Sequence, residues 1–391
     1  MKQKHLFVGI LILVLAMALA ACAGAEGPAG PAGPAGPAGP AGPQGPEGPA
    51  GAAASPLMAA DLSCTECHND TTLIAGKETA WSESVHGTGT AYVRGTSASC
   101  AGCHSGGGFS AMVAAGKTWS QVEAGDPNPT RQDCRTCHQI HTTYTGADWA
   151  LETTAVVTLD AFEGQTFDGG EGNLCATCHQ PREVLEAENG VVTWSSTHYG
   201  PHHGPQSAML LGIGGAGDVE GKPASHYSMV ENTCVTCHLG DSANHSFKPN
   251  VATCQGCHSD ATNFDVNGTQ TEVKTMLEEL AALLEFKGLL ADDESVVGEY
   301  PEAEAAALWN YIYIKHEDKS MGVHNPSYTK ALLESSIAAV QPSDESVAAC
   351  TDLNPDDACT LVGEDGAEVA GVCTTVTTLL VCAPVPVEEA P

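Results

Sequence analysis

Hydrophobic residues recur with helical spacing mainly in the C-terminal third of the chain. Four of them follow one another at intervals of four, three and four positions: Val273, Leu277, Leu280 and Leu284. This period predicts an amphipathic helix, and residues 302–315 predict a second one. A third helix is expected after Asn325, which can cap it, and Pro326, which suits its first turn. Its apolar face carries Leu333, Ile337 and Val340. Residues 266–341 are therefore predicted to form a helical cap.

The longest apolar run lies at the start of the chain. Lys2 and Lys4 precede an uninterrupted apolar stretch at residues 6–21, the pattern of an export signal that is removed from the mature protein. The stretch ends in Leu-Ala-Ala before Cys22, so Cys22 is predicted to be lipidated; the alternative is an ordinary signal peptide. Beyond this segment no apolar run approaches the 18 or so residues that a membrane span needs. The sequence predicts an exported lipoprotein of the outer membrane or cell surface.

A low-complexity segment follows the predicted signal peptide (1–21). Residues 27–50 consist of eight consecutive Gly-Pro-x triplets. Proline favours a polyproline II conformation, and glycine at every third position is what a collagen triple helix requires. One alternative is a semi-rigid spacer, about 70 Å long at about 3 Å per residue. The other is a collagen-like helix that makes the protein a trimer. We assign residues 22–60 to this stalk and its lipid anchor on the membrane.

Six C-x-x-C-H motifs account for 12 of the 17 cysteines. They comprise Cys64, Cys67 and His68; Cys100, Cys103 and His104; Cys134, Cys137 and His138; Cys175, Cys178 and His179; Cys234, Cys237 and His238; and Cys254, Cys257 and His258. A c-type haem is attached through two thiols at this spacing, and the next residue, a histidine, ligates the iron. Zinc pairs and thioredoxin-like motifs need no histidine at that position. The sequence predicts six covalently attached haem c groups in residues 61–265.

Composition adds two constraints. The formal charge of −33 argues against a nucleic-acid partner, because nucleic-acid binding proteins are basic on at least one face. An acidic surface favours cationic or mineral-bound partners instead. Only 5% of the residues are aromatic, so the haems are expected to form much of the apolar core.

With these motifs, residues 60–340 resemble the multihaem c-type cytochromes of anaerobic respiration, in particular those of the hydroxylamine oxidoreductase and octahaem tetrathionate reductase type. The resemblance implies short helices and loops wrapped around a chain of haems, with electron transfer between neighbouring porphyrins. Loops rich in glycine, threonine, serine and aspartate leave little room for sheets. The predicted fold is mainly α with extensive loops, a C-terminal helical cap and a small disulfide-stapled tail.

The histidines outside the motifs are candidates for the second axial position of each iron. We select six for six haems: His86, His141, His198, His226, His245 and His324. The pattern W-S-x-[ST]-x-H ends at both His86 and His198, and a similar segment supplies a distal ligand in the relatives. The segment G-V-H-N-P around His324 also resembles a distal-ligand segment there. His202 or His203 can replace His198. Weaker candidates are Met112, Met209, Met229 and Met321.

Four cysteines remain near the C-terminus, in residues 342–391: Cys350, Cys359, Cys373 and Cys382. In an exported chain they imply two disulfides with three possible connectivities. The local spacing favours Cys350–Cys359 and Cys373–Cys382. Residues 374–381 are predicted to form a strand. A metal site with nearby aspartates is an alternative to this stapled module.

Three functions fit these patterns. The first is an electron-transfer cytochrome that passes electrons to redox partner proteins or extracellular acceptors, and it is the one that we expect. The second is a reductase or oxidase of a small nitrogen or sulfur compound, which needs one iron with an open position. All six motifs end in histidine, unlike the lysine variant in pentahaem nitrite reductases. The third is a subunit of a cytochrome filament, against which a lipid anchor argues. No catalytic residue is predicted.

Overall fold

The computed structural model describes residues 72–202, 204–240, 244–362 and 366–385. The predicted signal peptide, Cys22, the stalk, the motif of Cys64, Cys67 and His68, and His203 lie outside these residues. The described residues belong to one unit of the chain, residues 57–391. No helix among them combines the length and apolarity needed to cross a membrane.

Helices and turns make up most of the described chain, and most helices are only one or two turns long. The α-helices are α1 (Thr72–Ser82), α2 (Val85–Thr88), α3 (Ala98–His104), α4 (Gly106–Ala114), α5 (Cys134–Cys137), α6 (Asn173–Ala176), α7 (Gln206–Leu211), α8 (Ser225–Met229), α9 (Cys234–His238), α10 (Val251–Cys254), α11 (Thr269–Phe286), α12 (Glu302–Ile312), α13 (Pro326–Ala339) and α14 (Asp344–Ala348). Short 3₁₀-helices occur at Ala91–Thr96, Trp119–Gln121, Gly146–Trp149, Gly170–Gly172 and Val266–Gly268. A π-helical turn, Tyr313–Asp318, continues α12.

The three long helices α11, α12 and α13 pack their apolar faces together. All four residues of the predicted stripe on α11 are buried, as the helical period requires: Val273, Leu277, Leu280 and Leu284. Asn325 caps α13 as predicted, because its Oδ1 accepts the N–H of Tyr328. Its Nδ2 donates to the carbonyls of Met209 and Lys222, so the same side chain joins the start of α13 to the end of α7. The helical pattern predicted in this region is confirmed.

Polar groups of the long helices hold the loop that follows α7. Trp309 is fully buried, and its Nε1 donates to the carbonyl of Gly214 at 2.9 Å. The Asn310 side chain accepts the N–H of Ala216 and donates to its carbonyl. The hydroxyl of Tyr313 donates to the carbonyl of Ile213. The Asn310 bonds are buried and the other two are partly buried, so each bond satisfies a loop group with restricted access to water.

The described residues also contain small antiparallel sheets. The strands are β1 (Val157–Thr158), β2 (Thr166–Phe167), β3 (Val191–Trp194), β4 (Leu290–Ala291), β5 (Glu294–Ser295), β6 (Gly298–Pro301), β7 (Ala358–Val362), β8 (Glu368–Val376) and β9 (Leu379–Pro384). They pair as β1–β2, β3–β6, β4–β5 and β7–β8–β9. With 43% helix and 13% strand, the fold is more mixed than the prediction of a mainly α protein. Most of these strands are too short to show a period of two in the sequence.

The C-terminal tail is a three-stranded sheet held by two disulfides. The predicted strand at residues 374–381 is a hairpin, because the chain turns at Thr377, where φ is 54°, between β8 and β9. The disulfides join Cys350 to Cys373 and Cys359 to Cys382. The pairing predicted from local spacing, Cys350–Cys359 and Cys373–Cys382, is therefore wrong.

The strand order explains this pairing. Cys359 on β7 is opposite Gly371 on β8, and Cys382 on β9 is opposite Cys373. Alternate residues of a strand share a face, so all three strand cysteines point to the same side of the sheet. The Cys359–Cys382 bridge crosses the middle strand above Gly371, where no side chain blocks it. Cys373 is left to pair with Cys350, which follows α14.

Replacing Gly371 by valine is expected to prevent the bridge that crosses it. A Cβ at this position would lie 2.6 Å from the Sγ of Cys382 and 3.1 Å from that of Cys359. Labelling the denatured, unreduced protein with a thiol reagent should then detect two free thiols per chain. The matched control is Ala370→Val, because Ala370 is the neighbouring residue and is exposed. An equal thiol content in the two variants would contradict the crossing.

Candidate haem sites

The five described C-x-x-C-H motifs each lie on or beside a short helix. In three of them the N–H of the histidine donates to the carbonyl of the first cysteine: His138 to Cys134, His179 to Cys175 and His258 to Cys254, at 2.8–2.9 Å. Residues three positions apart on such a turn share a face, so the two thiols point the same way. Asp133 caps α5 and Asn250 caps α10, which stabilises turns too short to persist alone.

Each of the five motif histidines faces a second imidazole. The pairs and their ring-centroid distances are His104–His202, 6.1 Å; His138–His245, 6.2 Å; His179–His86, 6.2 Å; His238–His324, 6.3 Å; and His258–His226, 6.3 Å. A metal–imidazole bond is about 2.0 Å long, so two imidazoles on opposite sides of one metal ion have their ring centres about 6 Å apart. The spacing therefore fits one iron between each pair.

Hydrogen bonds at Nδ1 orient four of these rings. Nδ1 lies 2.7–2.9 Å from a carbonyl oxygen in each: His138 from Trp149, His179 from the side chain of Gln206, His226 from Val323 and His238 from Phe247. A neutral imidazole that donates from Nδ1 has its other nitrogen, Nε2, available as a metal ligand. The carbonyl partners thus select the tautomer that binds iron through Nε2.

Burial keeps several of the same imidazoles neutral. It lowers the pKa of His86 to about 4, and the neighbouring His179 adds to this effect. Burial likewise lowers the pKa of His179 and that of His238. A histidine must be neutral to bind a metal, so these rings are in the ligating form at neutral pH.

A partly buried cation lies beside the His104–His202 pair. Arg182 lines a cavity together with both imidazoles, Cys103 and Cys178. Its guanidinium lies over the ring of Trp119, and among the described residues its buried Nε has no hydrogen-bond partner. A buried polar group normally has one. An anionic group such as a haem propionate would satisfy this Nε, so the site fits the haem that its cysteines predict.

Neighbouring motifs touch one another. The Sγ of Cys178 lies 3.9 Å from the carbonyl oxygen of Gly102 and 4.0 Å from that of Cys103, and the side chain of Cys175 is close to that of Cys234. Cys175 and Cys178 belong to the same motif, so the fourth motif contacts both the second and the fifth. Groups attached to these sulfurs would be close neighbours.

The predicted distal histidines divide into two groups. The structure places four of them opposite a motif histidine: His86, His226, His245 and His324. The remaining partner is His202, the open alternative to His198. Every described motif histidine thus has a partner imidazole, and neither His141 nor His198 is one of these partners. His141 stacks on Tyr144 at 5.3 Å, and His198 is exposed with its N–H bonded to Ser196.

Three further residues belong to these sites and carry no signal in the sequence. They are Arg182, Gln206 and Asp318. Gln206 accepts from His179 and donates to the carbonyls of Glu317 and Asp318, more than a hundred positions away. Contacts across that separation depend on tertiary structure, and a single sequence does not reveal them.

Comparison with known proteins gives one likeness in structure. No family model matches the chain, and no curated protein sequence does. The chain is similar to the crystal structure of outer cell wall cytochrome OcwA, with a TM-score of 0.43 and 23% sequence identity. The match covers 68% of this chain and 50% of that one, so the chain spans about half the length of that cytochrome.

Proposed function

We propose that the chain is an electron-transfer hexahaem c-type cytochrome, which passes electrons along bis-histidine haems in anaerobic or extracellular respiration. One observation carries the proposal. Every described motif imidazole faces a second imidazole at a distance that fits an iron between them, so none of these five irons would keep an open position. An iron saturated in this way exchanges electrons without binding a substrate.

The protein supplies the iron ligands, the arrangement of the haems and the electrostatic environment that this function needs. Haem c supplies a one-electron iron couple, and two histidine ligands hold its potential low relative to a histidine–methionine pair. The contacts Cys103–Cys178 and Cys175–Cys234 support a path from the second motif through the fourth to the fifth. The carbonyl partners at Nδ1 fix the rings, so little reorganisation is needed when an electron arrives or leaves.

The sixth site is the motif of Cys64, Cys67 and His68. His141, His198 and His203 remain as candidate distal ligands for it, because the other selected histidines are matched. A substrate-binding haem, if the protein had one, would be this one. The alternative function, a reductase or oxidase with one open iron, therefore depends on this haem site alone.

The proposed location is the cell surface, through a lipid on Cys22 and the Gly-Pro-x stalk. An acidic body then favours cationic redox partner proteins or mineral-bound acceptors, and association should weaken as ionic strength rises. The stalk serves as a spacer, with trimer formation as the alternative.

We expect the purified protein to carry six haems per chain, and the fully oxidised form to give only low-spin signals in electron paramagnetic resonance. The pyridine haemochrome assay measures the first quantity. Fewer than six haems would contradict the motif assignment. A high-spin signal near one haem in six, perturbed by nitrite, hydroxylamine or sulfite, would contradict the carrier and support an enzyme.

A further inference from the structure

Asp318 is a buried carboxylate that contacts one of the proposed iron ligands. Its side chain has no exposed surface, and its Oδ1 lies 2.6 Å from Nδ1 of His324. Its Oδ2 accepts both the hydroxyl and the N–H of Ser320. In the part of the chain that the structure describes, no lysine or arginine forms an ion pair with this carboxylate. The negative charge of Asp318 is therefore directed at His324 and is not engaged in an ion pair with a lysine or arginine of the described residues.

This partner differs in kind from those of the other rings. His138, His179, His226 and His238 are bonded through Nδ1 to neutral carbonyl oxygens of the backbone or of Gln206. His324 is bonded to a carboxylate. His238, which faces His324, has the neutral partner Phe247, so the two sides of one site are unequal.

The carboxylate is held in position from two directions. Asp318 ends the π-helical turn that continues α12, and Ser320 fixes its second oxygen. Gln206 donates to the carbonyls of Glu317 and Asp318 while it accepts from His179. One glutamine thus joins the backbone of this turn to the ligand of the neighbouring site, so the geometry at His324 does not depend on a mobile side chain.

A carboxylate on the outer nitrogen of an imidazole makes the inner nitrogen a stronger donor. A stronger donor stabilises the ferric state over the ferrous state, and hydrogen bonding to axial ligands is one of the means by which proteins set haem potentials. A buried negative charge acts in the same direction, because reduction adds an electron near it.

We propose that Asp318 is a potential-setting residue, which lowers the midpoint potential of the haem attached to Cys234 and Cys237 through its hydrogen bond to His324. This inference rests on the proposed function, since it assumes a haem between His238 and His324. Asp318 acts through the ligand and touches no reacting atom. The haem attached to Cys234 and Cys237, which would lie beside Cys175 of the fourth motif, is therefore harder to reduce.

The test is a spectroelectrochemical titration of the full-length Asp318→Asn protein with all its haems. Asparagine keeps the size of the side chain and an oxygen for His324, removes the charge, and puts an amide in place of the oxygen that accepts from Ser320. We expect one of six one-electron steps to move to a more positive potential, and one low-spin resonance signal to shift its g values. The haem count and the low-spin state should stay as in the wild type.

Two further variants separate the hydrogen bond from general charge and from misfolding. Glu317→Gln removes a negative charge one residue away and should shift the same step much less. Ser320→Ala removes the hydroxyl that stabilises the negative charge of Asp318 and that also accepts the N–H of His324, and it should move the step in the negative direction. No shift in Asp318→Asn, or equal shifts in Asp318→Asn and Glu317→Gln, would overturn the inference. Failure of the proposed function would instead appear in the wild type, as missing haems or a high-spin iron.

Discussion

Replacing His202 by asparagine is expected to convert one low-spin haem of the oxidised protein to the high-spin state. The change removes the imidazole that faces His104 with ring centroids 6.1 Å apart, and asparagine is a poor iron ligand. Asparagine is also the suitable replacement for the backbone, because His202 has a φ of 73° and asparagine tolerates this left-handed region. Electron paramagnetic resonance should show a high-spin signal corresponding to one haem.

The matched control is His198→Asn, four residues earlier. His198 is exposed, and the described motif rings all have other partners, so this change should leave those five irons low-spin. His203→Asn tests the adjacent residue in the same way. A low-spin spectrum in His202→Asn would contradict the assignment of His202 as the ligand opposite His104, whereas a high-spin signal in either control would point to the sixth haem.

Replacing Trp309 by alanine is expected to lower the free energy of unfolding by about 3–5 kcal/mol, the usual cost of deleting a buried large aromatic ring. Trp309 has no exposed surface and lies in the core formed by α11, α12 and α13. The change also leaves the carbonyl of Gly214 without its donor. Urea unfolding followed by circular dichroism measures the loss, because covalent haems stay attached and cannot report it by dissociating.

Trp309→Phe is the conservative comparison. It keeps most of the ring contacts, including those with Tyr199, and loses the hydrogen bond to Gly214. An unsatisfied buried carbonyl costs about 1–3 kcal/mol, so the loss should be clearly smaller than for alanine. Equal midpoints for Trp309→Ala and the wild type would mean that the helical cap does not unfold together with the rest of the unit.

The sequence predicted most where local chemistry decides the outcome. The stripe of Val273 and Leu277 on α11 follows from the helical period alone, and the cap at Asn325 follows from a side chain that reaches its own helix. The haem motifs are local as well, because two thiols and an imidazole within five positions define each one.

A local pattern does not predict one structure when its copies meet different surroundings. The pattern W-S-x-[ST]-x-H occurs twice, yet its two copies adopt different structures. Around His86, Ser84 caps α2 and the histidine lies in the first turn of that helix. Around His198, Trp194 ends β3, and the residues after it form an exposed loop. Trp194 pairs with β6, whose residues lie about a hundred positions later, and this pairing decides the conformation. The six-residue pattern itself does not encode that long-range contact.

The disulfide pairing failed for a related reason. Equal spacing suggested two local loops, whereas the order β7–β8–β9 brings together cysteines from the first and third strands. Gly371 is the one residue whose small size marks the crossing, and glycine also occurs in strands at bulges and at tight bends. The strand order had to be known before that glycine could be interpreted.

The two disulfides also have a consequence for biosynthesis, because their loops overlap along the chain. The first cysteine of the tail is bonded to the third, and the second to the fourth. An oxidant that joins cysteines in the order in which they emerge during export would first connect Cys350 to Cys359, which is not a native bond. Maturation must then proceed through thiol–disulfide exchange, which takes minutes to hours when it is uncatalysed and is faster with an isomerase. Cells that attach the haems but lack such an isomerase should therefore accumulate a spectroscopically normal cytochrome with a scrambled tail.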